Sequence, residues 1–133
     1  MSDDALTDLH ARIEIIESGY EYMLAFAAQG YEPTEESSQD YDIRNHLQAM
    51  DKALDGLAEV TEVVATDSDG DNAARYMAFL KAVHNDAEIA QGAIRLILLR
   101  VAISSQLVDN LNASIHLRAL LTDLFLLDEA FKR

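Results

Sequence analysis

Cysteine is absent from this chain of 133 residues. Disulfides, thiolate metal ligands and a cysteine nucleophile are therefore excluded, and a reducing compartment suits the chain. Proline occurs once and glycine five times, so little in the sequence interrupts long helices. Bases are scarce. Ten Lys and Arg face 24 Asp and Glu, for a net charge of −14. Nucleic acid and anionic membrane surfaces are disfavoured partners, because no basic face exists to displace phosphate counterions. No apolar run is long enough to span a bilayer. The opening MSDDALTDLH is acidic and polar, unlike a signal or transit peptide, and a cytoplasmic location is expected. Several motifs are missing as well: a Gly-rich phosphate loop, H-E-x-x-H, G-x-S-x-G and a His-x-x-Lys-Gly context. No catalytic residue is assigned and no cofactor is expected.

What is present is helix-forming and patterned. Half of the residues are hydrophobic and only 7% are aromatic, with Ala, Leu, Glu and Met in long stretches. Leu6, Leu9, Ile13, Ile16, Tyr20, Met23 and Ala27 repeat with alternating spacings of three and four, a seam started by Ser2-Asp3-Asp4 and stopped by Gly30. Ile15, Tyr22 and Phe26 add a second stripe. After a polar connection holding the proline, a second helix begins near Ser38 or Asp40. Its seam is Ile43, Leu47, Met50, Leu54, Leu57, Thr61 and Val64, and it ends in the turn Asp67–Asp71, with Asp71 as the next N-cap. Helical pattern then runs from Ala73 almost to the end, with possible breaks at His84–Asp86 and Asp109–Asn112. The last seam is Leu117, Leu120, Leu124, Leu127 and Phe131, closed by Lys132 and Arg133. The expectation is an all-α single domain over 1–133: an antiparallel four-helix bundle, or five helices if the second half breaks again. Residues 1–72 form an acidic hairpin holding 18 of the 24 acids and three bases; 73–133 form an apolar half.

The stretch Ala93–Val108 reads as the organising helix. It is apolar on nearly every side, so it must be buried all round or shared with a second subunit. Leu96, Leu98, Leu99, Arg95, Arg100 and Ile103 are the expected interface of a homodimer, since Arg tolerates partly buried interface positions.

Four groupings of polar residues carry possible chemistry. His10, Glu14, Glu17 and Glu21 share one narrow stripe, which raises a ferritin-like di-metal site. No histidine, however, has an acid three residues before it. Glu14-x-x-Glu17 and Glu59-x-x-Glu62 place carboxylate pairs on the two hairpin helices, a spacing able to hold Mg²⁺ for phosphate chemistry. In these residues the chain resembles the all-α nucleotide pyrophosphatases of the MazG type, although a following E-x-x-D is absent. The resemblance implies Mg-assisted phosphate hydrolysis. His10 with Glu14, Asp42 with His46, and His84 with Glu88 are spaced for helical ion pairs or, if two meet, a Zn²⁺ site. His116 stands alone on an apolar helix, as a core or interface histidine would. Asp67-x-Asp69-Gly70-Asp71 has some of the look of a calcium loop, but its glycine is fourth and position twelve is Ala78, so it reads as a turn. The function that fits best is non-catalytic: an acidic adaptor, accessory subunit or inhibitor docking a basic protein. A metal-dependent enzyme or a ferritin-like binder using the hairpin carboxylates is the alternative.

Overall fold

The protein was analysed as a computed structural model that describes residues 2–32 and 38–131, the side chains of residues 2, 3 and 38 excepted. Six α-helices pack together, and no strand occurs among the described residues: α1 Ser2–Ala28, α2 Ser38–Leu54, α3 Leu57–Ser68, α4 Ala73–Leu98, α5 Ser105–Ala113 and α6 His116–Phe131. A single 3-10 turn, Gly70–Asn72, precedes α4. The capping role of Ser2-Asp3, the connection around Pro33 and the terminal Lys132-Arg133 lie outside the described residues.

The three-four seams become the core. Leu9, Ile13, Ile16 and Met23 of α1 are buried, as are Ile43, Leu47, Met50, Leu54, Leu57, Thr61 and Val64 of α2 and α3 and the whole of Leu117, Leu120, Leu124, Leu127 and Phe131 on α6. One buried cluster joins all six helices. Helix α1 packs against α2, α3, α5 and α6, while α4 packs against α2, α3 and α6. The approach of α1 to α2 is close at Gly19, where a Cβ would overlap the Met50 side chain. Gly30, at φ 65°, stops α1 as its left-handed conformation requires.

The breaks fall elsewhere than the periodicity suggests. The second helix is two, because Gly56 adopts φ 79° between α2 and α3. The seam continues in phase across this break, which is why the pattern hid it. Arg12 of α1 secures the break, its Nη1 donating to the carbonyls of Ala53 (3.0 Å) and Asp55 while Nε pairs with Asp8 at 3.0 Å. The expected helix over 93–108 does not exist: α4 ends at Leu98 and α5 begins at Ser105. Neither His84–Asp86 nor Asp109–Asn112 is a break, since they lie inside α4 and α5; the chain turns instead at Ser114-Ile115, with Ile115 at φ 63°. Asp71 sits within the 3-10 turn, and Asn72 is the N-cap residue of α4.

Candidate functional site

The surface formed where α4 ends is built by two side chains of α2. Arg44 donates from Nη1 to the carbonyl of Leu98 (3.0 Å) and from Nη2 to those of Arg100 (2.8 Å) and Val101 (3.2 Å). Asp40, one turn earlier and paired with Arg44 at 3.5 Å, accepts the amide of Ile103 at 2.9 Å. Ser104 then caps α5, its Oγ accepting from the amide of Leu107 at 3.0 Å. Ser105 bonds both the carbonyl of Phe26 and the amide of Tyr31, fastening the same segment to the end of α1. These fixed polar partners replace the helical hydrogen bonds that 99–104 would otherwise make. The side chains sort accordingly. Ile103 is fully buried, so it contributes no surface to an interface, and Leu98 is half-buried. Leu96, Leu99 and Val101 stand outward with 66%, 80% and 96% of their surfaces exposed. Arg100 is exposed beside them, and Arg95 pairs with Asp51 of α2 at 2.9 Å.

At the other end of α4 an open groove of about 440 Å³ runs between its first turns and the last turns of α6. Tyr76, Phe79, Leu126, Leu127 and Ala130 make it apolar, while Asp69, Asn72 and Arg75 form its polar edge. Asp69 accepts a hydrogen bond from Asn72 at 2.9 Å, and Asp67 in the last turn of α3 and Asp71 in the 3-10 turn are exposed nearby in the chain. Leu126 is 58% exposed.

Between these two ends, α4 and α6 share a carboxyl pair that the sequence reading missed. Asp123 lies against Asp86, and its pKa rises from 3.8 to about 6, first through burial and then through the hydrogen bond to Asp86 and the charge of that group. His116 is not alone: its Nδ1 approaches Asp86 at 3.7 Å. Asp123 and Asp86 each border a buried core position, Leu124 and Ala87.

Of the remaining candidates, Glu14 of α1 and His46 of α2 line one shallow pocket with Ala11, Ile15, Ser18 and Ala49. His10 turns away from the stripe to pair with Asp128 of α6 at 2.6 Å. Glu14, Glu17 and Glu21 are exposed on α1, and Glu59 and Glu62 are exposed on α3. His46 stacks on Tyr22 with ring centroids 4.0 Å apart, and burial, then the charge of Asp42, pushes the Tyr22 phenol up. His84 and Glu88 form their expected pair at 3.7 Å. Among the described residues no three histidine or acidic side chains are grouped so as to hold a metal ion. The paired carboxylates Glu14/Glu17 and Glu59/Glu62 stand exposed on α1 and α3 respectively. No helix among the described residues is long and apolar enough to cross a membrane. Comparison with protein-family models, with curated proteins and with solved structures finds no significant match.

Proposed function

We propose that the chain is a non-catalytic, acidic helical adaptor that docks a basic protein partner and associates with itself. The observation that carries the reading is the outward placement of Glu14, Glu17 and Glu21 on α1 and of Glu59 and Glu62 on α3. Negative charge kept at this density repels itself and weakens the fold unless something offsets it. A basic surface would, and the encounter would be steered by charge. The architecture that suits this role is an antiparallel bundle of four columns: α1, α2 continued by α3, α4, and α5 continued by α6. It is supported by the packing of α1 and α4 against the same intervening helices. Self-association is supported by the exposed Leu96, Leu99 and Val101.

The test is a charge series read at two ionic strengths. A partner captured by crosslinking is titrated with wild type and with Glu14, Glu17 and Glu21 changed to Gln singly and together. Each change is expected to slow association by a small factor at low salt, with the differences shrinking at physiological salt, where charges are screened over ~8 Å. Unchanged association by the triple variant refutes the role given to this face. Loss of all binding by one substitution points instead to a metal site.

A further inference from the structure

The two apolar surfaces at the ends of α4 are unlike in a way that fits one to the other. The segment 96–101 holds Leu96, Leu99 and Val101 out in solvent, with Arg100 exposed beside them. It is also held in shape before any partner arrives, because Arg44 fixes three of its carbonyls and Asp40 fixes the amide of Ile103. Little ordering cost therefore opposes its docking. The groove between α4 and α6 is concave and lined by Tyr76, Phe79, Leu126 and Leu127, with Asp69 at its edge and Asp67 and Asp71 nearby in the chain. Arg75 is the opposing charge at that edge, outweighed by the three aspartates. One chain cannot bring its own two surfaces together: Phe79 and Leu99 are twenty residues apart, roughly 30 Å along the helix axis.

We propose that copies of this chain associate head to tail, the 96–101 projection of one entering the α4–α6 groove of the next with Arg100 facing the Asp67–Asp71 segment. The proposal rests on the reading above that 96–101 is an interface, and it names what covers that surface. A twofold dimer through the projections alone would bring the two arginine-flanked surfaces together. A twofold dimer that exchanges projection for groove reciprocally would stop at two copies, and wild type that does so overturns the head-to-tail arrangement. The head-to-tail contact pairs unlike charges and fills the groove, which a twofold contact through the projections leaves open. Such a contact is heterologous, so it propagates into an open chain of copies unless the rotation between them closes a ring.

Complementation between two defective variants decides the matter. Leu99→Asp spoils the projection and keeps the groove; Leu126→Asp spoils the groove and keeps the projection. Both positions are largely exposed, and circular dichroism checks that each variant keeps its helices. Val101→Asp and Ala130→Arg replace either one that does not. Wild type is expected to grow in mass with concentration by analytical ultracentrifugation, or to sediment as a ring of more than two copies. Each variant alone is expected to sediment as one chain. Mixed in equal amounts they retain one good projection and one good groove, so the mass should double and then stop rising. A Leu126→Asp chain that still self-associates like wild type overturns the head-to-tail arrangement while leaving 96–101 as an interface. A mixture that stays at the mass of one chain overturns it too. Wild type that remains a single chain at every accessible concentration overturns both this arrangement and the self-association on which it rests.

Discussion

Asp123 and Asp86 meet across α4 and α6 in a setting that favours one proton between them. The Asp123 carboxyl has a higher pKa folded than unfolded, so its protonated form is the one the fold prefers. Its stabilising contribution is complete below pH 3.8 and fades as pH rises through about 6. Asp123→Asn keeps the shape and removes the charge. The substitution should leave stability at pH 4 nearly unchanged and raise it at pH 8 by about 1 kcal/mol, after allowance for solvent screening. Urea unfolding of both proteins at the two pH values measures this directly. A variant less stable than wild type at pH 8 contradicts the assignment. The pair was hard to read from sequence because the residues are 37 positions apart and each looks like an ordinary flank of an apolar seam. His116 misled for the same reason: its partner, Asp86, lies on a different helix.

Among the elements, two of the three left-handed positions meet the same backbone demand with unlike residues. Gly56 at φ 79° is the residue type its position needs, and Ile115 at φ 63° is not, since a β-branched side chain crowds the backbone there. Gly56→Ala is expected to cost about 1–2 kcal/mol. Ile115→Asn is expected to add up to about 1 kcal/mol, because Asn tolerates this conformation and Ile115 is exposed, so no core packing is lost. Thermal melts of the two variants should therefore move in opposite directions; shifts of the same sign would argue against the backbone cause. The helices themselves were legible, their seams being buried nearly residue for residue. Their interruptions were not. Periodicity reports which residues face inward, and a seam that stays in phase across Gly56 gives no sign of a break. The end of α4 depends on Arg44 and Asp40, whose distance in sequence from 98–103 hides their effect. Ser104 was the one local sign, as an N-cap in the middle of an apolar run.

For the whole molecule, the surplus of acids dominates. Net charge is −14, and the ion pairs that salt would weaken, such as Asp8–Arg12, Asp40–Arg44 and Asp51–Arg95, are few beside the unneutralised carboxylates. Screening should therefore relieve more repulsion than it removes attraction. Raising salt from low to physiological concentration at neutral pH should lift the melting temperature by about 3 °C or more, roughly the effect of one kcal/mol in a chain of this size. A falling melting temperature would show that the ion pairs outweigh the repulsion.

The central position of α1 has a consequence in time. It touches α2 and α3, which follow it directly, but also α5 and α6, which come much later in the chain. At ~5–20 residues per second of synthesis, the interval between the end of α1 and the start of α5 is roughly 4–15 s. Throughout that interval the part of α1 that α5 and α6 will cover has no final cover, and exposed apolar surface of this kind is what partly made chains aggregate by. Glu14, Glu17 and Glu21 stand exposed along the same helix. Their repulsion, a burden once the fold is complete, should hold neighbouring unfinished chains apart until the last helix arrives.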